Sequence, residues 1–301
     1  MGRFIESFDA YTTNFDMKNN MIKSRYHHSY RVMELSRKIG ELLKFSENEI
    51  YVARVIGLLH DYGRFEQIKQ YNTVNDNESV DHAEYSIRYL FDENQIEEFV
   101  NDEELFPIIR KSIYYHNKYA LPNRGLTKDE RKHAKLIRDT DKIDTLYLIG
   151  VLKDYELEIT SEPIRDSISS YFYEGKQVPY ASIKNDNERV ISLLAYIYDL
   201  NYKESFMYLT SIHLLEIFFN NLGRPDNLKI YFDKMNEYIE KASAIVTEDG
   251  GMTSHAAIVG INLGKPVVVS ATDILTSVKD GELITVDSAR GAVYRGSSRV
   301  L

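Results

Sequence analysis

His60 and Asp61 stand side by side at the end of an apolar helical stripe, and a chain built this way must supply buried partners for both. Upstream, Ser46-Glu47-Asn48-Glu49 has the form of a capping box, which sets a helix start. From there Ile50, Ala53, Ile56 and His60 recur at helical spacing, so the imidazole continues the buried face. Gly63 reads as the residue that stops this helix. Residues 64–78, polar and rich in Asn, read as a loop that opens with Arg64. An inward-pointing imidazole and carboxylate need hydrogen bonds, opposite charge or a metal, because burying a charge alone costs too much. A lone His-Asp dipeptide is common, so its meaning depends on what the other helices bring.

Helical spacing predicts a short N-terminal helix through Ile5, Phe8, Tyr11 and Phe15, then a long one from about Asn20 to Phe45. On the long helix His28 shares a face with Val32, Leu35, Ile39 and Leu42, while His27 points elsewhere. A fourth helix opens at Ser79-Val80-Asp81-His82, and a fifth ends on Ile109, Ile113 and His116. Thr127-Lys128-Asp129-Glu130 is a second capping box, and its helix puts Ile137, Asp141, Asp144 and Leu148 on one face. Arg138 and Lys142, the near neighbours that could pair with Asp141, project from other faces. Taken singly, each polar residue is more simply structural: a core histidine on a carbonyl, or a carboxylate in a salt bridge. Taken together, His28, His60, Asp61, His82, His116 and Asp141 on separate helices are better explained by one shared metal centre. Imidazole and carboxylate ligation without thiolate suits Mn, Fe, Co, Ni or Zn better than Mg.

Composition divides the chain near residue 241. Residues 1–241 hold all 13 Phe and 22 of the 23 Tyr, whereas 242–301 hold 7 of the 15 Gly and alternate short Val-rich runs with turns. The expected fold is therefore mainly α, a helical domain over 1–241 followed by a small α/β segment over 242–301. With no Cys, disulfides and thiolate metal sites are excluded. The net charge of −9 argues against a nucleic-acid-coating surface, although bound ions would invert the sign locally for a phosphorylated substrate. No apolar run approaches ~18 residues and the N-terminus lacks a signal-peptide core, so a soluble, cytoplasmic protein is expected. Homo-oligomer formation is left open.

The order His28, His60-Asp61, Asp141 resembles the HD superfamily of metal-dependent phosphohydrolases, an all-helical fold. The strings His28-Ser29-Tyr30-Arg31-Val32, Leu59-His60-Asp61-Tyr62-Gly63-Arg64-Phe65 and Asp139-Thr140-Asp141-Lys142-Ile143-Asp144 carry the likeness over roughly residues 20–150. By analogy with members that have extra histidines, His82 and His116 would bind a second ion. The subfamily that cleaves cyclic dinucleotides adds a Gly-Tyr-Pro motif; the corresponding stretch here is His116-Asn117-Lys118-Tyr119-Ala120-Leu121-Pro122. The resemblance implies hydrolysis of a small phosphorylated substrate, a nucleotide or related phosphoester, by metal-activated water with one or two ions. In that scheme Asp61 both ligates and steers the water, and Arg64 neutralises phosphate charge.

In the tail, Ala244-Ile245-Val246 and Val267-Val268-Val269 are expected strands. Glu282–Asp287 and Ala292–Arg295 are expected to form a hairpin, and a helix is expected to begin at Thr253-Ser254-His255. Gly250-Gly251-Met252-Thr253-Ser254-His255-Ala256-Ala257-Ile258-Val259 resembles the motif of the swivelling phosphohistidine domain of phosphoenolpyruvate-utilising enzymes. The whole tail is similar to the C-terminal extension of bacterial pyruvate kinases and corresponds to the second half of that domain. His255 is thus the phosphohistidine candidate, yet no donor motif accompanies it, and the tail is expected to be an accessory. Two other functions stand beside hydrolysis: a phosphocarrier using His255, and a non-catalytic helical scaffold that binds metal or nucleotide.

Overall fold

The computed structural model describes residues 3–240, 245–248, 266–279 and 282–296. The chain falls into two compact units, residues 1–232 and 233–301.

The first unit is all helical. Asn19 caps α2 (Asn20–Leu42) by accepting from the Met21 N–H, and both predicted capping boxes form, at the starts of α3 (Glu47–Leu59) and α7 (Lys128–Gly150). α2 packs along α3 and α7, and α6 (Phe106–Tyr115) packs on α7, so the helices carrying the polar residues are mutual neighbours. Gly57 lets α2 and α3 approach: a Cβ there would lie 2.8 Å from the Met33 Cα. Phe8, Val32, Val55, Leu58, Leu59, Phe65, Ile109 and Ile113 fill the core, with α1 (Arg3–Thr12) covering one side.

Gly63 does not stop a helix. α3 ends at Leu59, His60 and Asp61 form a corner, and α4 (Tyr62–Tyr71) begins at once, so the first part of the expected 64–78 loop is helical. It closes at Asn72, which adopts φ 52°. The glycine answers a packing demand instead: a Cβ on Gly63 would lie 2.4 Å from the Ser86 nitrogen of α5 (His82–Ile87). Ser86 Oγ accepts from the Gly63 N–H at 2.8 Å and lies 3.1 Å from the His60 carbonyl, which fixes the corner to α5.

After α7 come α8 (Asp166–Tyr173), α9 (Asp186–Ala195) with a 3₁₀ turn (Tyr196–Asp199), α10 (Lys203–Ser211), α11 (Leu214–Asn221) and α12 (Asp226–Glu240). His213, with φ 50°, separates α10 from α11. In the second unit β1 (Ile245–Val246) pairs in parallel with β2 (Val267–Val268), and β3 (Ile284–Asp287) pairs with β4 (Ala292–Arg295) as an antiparallel hairpin. A parallel pair cannot be joined by a tight turn. His255 and the helix expected to begin there lie outside the described residues. Among the described residues no helix is long and apolar enough to cross a membrane.

Candidate metal centre

α2, α3 with its corner, α5, α6 and α7 bring all six predicted ligands to one buried place. His28 and His60 are fully buried, His116 is 1% exposed, and the Asp141 side chain, at 23%, is the most open of the set. The side chains form two groups about Asp61. Its Oδ2 lies 3.7 Å from His28 Nε2 and 3.8 Å from His60 Nε2, and Asp141 Oδ1 lies 3.2 and 3.6 Å from those same nitrogens. Its Oδ1 lies 3.4 Å from His82 Nε2 and 3.8 Å from His116 Nε2.

Every one of the four histidines is oriented through its other nitrogen. The Nδ1–H groups of His60 and His116 donate to the carbonyls of Gly57 and Ile113, at 2.9 and 2.6 Å. Those of His28 and His82 donate to Asp144 and Asp76, each at 2.6 Å. The four Nε2 atoms therefore converge, with His28 and His60 3.2 Å apart and His82 and His116 2.9 Å apart. Two ring nitrogens at such spacing share either a proton or a cation. Ligands about 2.0–2.1 Å from one ion sit about 3 Å from each other. The donor set fits divalent metal.

Burial pushes the Asp61 and Asp141 carboxyls up, but the surrounding imidazoles hold both well below the usual carboxylate range. Burial also pushes His28 down, and its hydrogen bonds with Asp141 and Asp144 outweigh that and raise it to about 9. His116, which faces His82 and His60, is pushed down to about 3 by burial and by those imidazoles.

Several partners were not assigned from the sequence. Arg31 holds Asp144 with two bonds, of 2.8 and 2.9 Å. The spacing Asp141 to Asp144 and His28 to Arg31, three residues apart on a helix, was the available signal. Asp76 came from the expected loop and gave none. Arg25 reaches Asp61 Oδ2 at 3.4 Å. Arg138 and Lys142 do not pair with Asp141; they meet Asp199 Oδ2 at 2.6 and 3.0 Å, as their helix faces require. Arg138, 1% exposed, also donates to the carbonyls of Tyr115, His116, Lys118 and Tyr119 and so holds the segment that carries His116.

Arg64 borders the centre without facing an open space. Its Nη1 is taken by Gln67, Val74 O and Asp76, its Nη2 lies 3.4 Å from His82 Nε2, and its Nε stands 3.7 Å from Asp61 Oδ1. A third acidic group, Asp76, Asp81 and His82, is already compensated: Asp81 receives the Ala83 and Glu84 N–H groups, Asn117 and Lys118.

Residues 25–146 match the HD domain family, and residues 231–291 match the mobile domain of PEP-utilising enzymes. Residues 25–146 are thus an HD domain, a family whose members are typically metal-dependent hydrolases, and residues 231–291 a mobile domain of the PEP-utilising type. The relatives lie in the C-terminal region. Pyruvate kinase of Bacillus licheniformis is 59% identical over 63 residues, 21% of this chain and 11% of that protein. Pyruvate kinase of Geobacillus stearothermophilus is 60% identical over 63 residues, with the same shares. Phosphoenolpyruvate synthase of Aeropyrum pernix is 57% identical over 60 residues, 20% of this chain and 7% of that protein. The chain therefore spans about a tenth of the length of these relatives. No solved structure matches it.

Proposed function

We propose that this centre holds two divalent transition-metal ions and hydrolyses a small phosphoester, a nucleotide or related molecule. The observation that carries the reading is Asp61: its two carboxylate oxygens face two separate groups of imidazole nitrogens. His28, His60 and Asp141 would hold one ion, His82 and His116 the other, with Asp61 common to both. Bound ions of this kind would lower the pKa of a water molecule and polarise a phosphoryl oxygen. The chain's own part is orientation and charge. Asp144, Asp76 and the two carbonyls fix each imidazole tautomer, which raises ligand basicity and keeps the Nε2 atoms aimed inward. Asp61, held ionised, is also the hydrogen-bond acceptor that would orient the attacking water. Arg64 adds positive charge on the His82 side, and Arg25 does so at Oδ2.

The test is metal analysis together with a phosphomonoester and phosphodiester panel assayed with Mn²⁺. His60→Ala and Asp61→Ala should lose both bound metal and turnover while keeping the helical circular-dichroism spectrum. Full metal content with full turnover in either variant would refute the assignment. A single ion at saturation would refute the two-ion form alone. The mobile-domain match supports a second reading, a phosphocarrier at His255, which acid-labile phosphorylation of the intact chain would reveal.

A further inference from the structure

Asp76, which orients His82, comes from a stretch that buries nothing of its own. Residues 72–81 join α4 to α5, and every one of them is half-buried or exposed. A segment without apolar burial opens easily unless polar bonds tie it to something rigid. The rigid part here is α4. Gln67, fully buried on that helix, has no role in the proposed reaction. Its Nε2 faces three acceptors of the stretch: Asp76 Oδ1 at 3.1 Å, Ser79 Oγ at 2.8 Å and the Val80 carbonyl at 2.9 Å. Its Oε1 accepts from Arg64 Nη1 at 2.7 Å, and that same nitrogen donates to Asp76 Oδ1 at 2.5 Å. An amide offers two N–H groups and one carbonyl, so both ends of the Gln67 side chain are in use. Asp76 Oδ1 is thus taken by Gln67 and Arg64, which leaves Oδ2 for the His82 Nδ1–H at 2.6 Å. Val80 stands two residues before His82, so Gln67 also fixes the backbone that leads into α5.

From these contacts we propose that Gln67 is a positioning residue for the His82–His116 ion. It sets both Asp76 and the entry to α5, and through them the direction of the His82 Nε2 atom. The other group of ligands is oriented from different places: His60 by the Gly57 carbonyl of α3, and His28 by Asp144 of α7, itself held by Arg31 of α2. Loss of Gln67 should therefore weaken one ion and spare the other. This role presupposes the two-ion reading and adds to it what decides whether the second ion is held. The plainer account is that Gln67 only stabilises the fold. It predicts a lower melting temperature with both ions bound as before.

The experiment measures stepwise Mn²⁺ affinities of the full chain by competition with a calibrated chelator. His82→Ala marks which step belongs to the His82–His116 ion. Gln67→Met removes every bond of the amide at nearly constant volume, whereas Gln67→Glu keeps the acceptor for Arg64 and lacks the donors. In both folded variants that step should weaken about tenfold or more, while the other stays within about twofold. Adding Gln67→Met to Asp76→Asn should cost no more than Asp76→Asn alone, because the two act on one histidine. Equal weakening of both ions, unchanged affinities, or an additive double variant would overturn the assignment. If the wild type binds a single ion at saturation, the two-ion reading fails, and amide hydrogen exchange of the loaded protein decides the role of Gln67 separately. The N–H groups of Asn77, Glu78 and Ser79 bond within the stretch. Their exchange about tenfold faster in Gln67→Met, with α2 and α3 unchanged, supports the positioning role, and equal rates overturn it.

Discussion

Asp144 never needs to touch a metal ion to decide how well one is held. Its Oδ2 receives the His28 Nδ1–H, and Arg31 keeps the carboxylate in place. Asp144→Asn removes the charge that orients this imidazole, so affinity for Mn²⁺ should fall about 10- to 100-fold. Competition against a calibrated chelator measures this, and unchanged affinity would exclude the orienting role. His133 tests a different consequence of burial. It is 2% exposed, its ring lies 5.6 Å from that of Phe45, and its Nδ1 has no hydrogen-bond partner. Burial, then the Lys132 charge, pushes the imidazole down to about 4. Unfolded, it would titrate near 6.5, so below that pH the unfolded chain takes up the proton first and stability falls until about pH 4. Between pH 7 and pH 5 the loss from this group is about 2 kcal/mol. His133→Leu should shrink the difference between denaturant unfolding at the two pH values by that amount, and an identical difference in both proteins would contradict the assignment. At this scale the six inward residues were legible because a helix repeats every 3.6 residues and an imidazole on an apolar stripe is conspicuous. Asp76 was not, because its partner His82 is reached across a loop whose path no periodicity records.

The helices matter to the site through their ends. His60 and Asp61 occupy a corner between α3 and α4, His82 is the first residue of α5, and His116 follows the last residue of α6. Side chains at helix ends can be brought together at one point, but their backbone must then be tied down by other means. Arg138 does this for His116 by donating to four carbonyls of residues 115–119, with its charge met by Asp199. Breaking a buried pair on one side costs ~3–5 kcal/mol. Arg138→Met should therefore lower the melting temperature and, in the protein that remains folded, reduce bound metal from two ions to one by loss of the His82–His116 ion. Elemental analysis on the folded fraction gives the count, and two ions retained would show that Arg138 does not position His116. Arg138→Lys should recover stability only in part, because one ammonium cannot span four carbonyls. The sequence pointed to Arg138 only as a residue on another face of α7, since its five acceptors come from segments 19 or more residues away.

At the scale of the whole chain two units of unlike composition follow one another, and two families are matched in the same order. Hydrolysis needs only water as acceptor, so a phosphohistidine has no place in the proposed reaction. His255→Ala should leave metal content and phosphoester turnover within twofold of wild type; a loss of more than about tenfold, ~1.4 kcal/mol of barrier, in a folded protein would join the tail to the chemistry. The division of the chain into a helical part and a Val- and Gly-rich part was readable from composition alone, and the strands at Ile245–Val246 and Ile284–Arg295 fall where the apolar runs predict. The capping boxes, most helix spans and the inward set from His28 to Asp141 were likewise determined by sequence, because propensity, capping and amphipathic period are local properties. Only the tertiary structure decided the rest. It made Gly63 a contact with Ser86 rather than a helix stop, gave Arg138 and Lys142 to Asp199, and set the two oxygens of Asp61 against two pairs of imidazoles. Each of those outcomes depends on which backbones approach within a few ångströms, and that is settled by how side chains from distant parts of the chain fill one core.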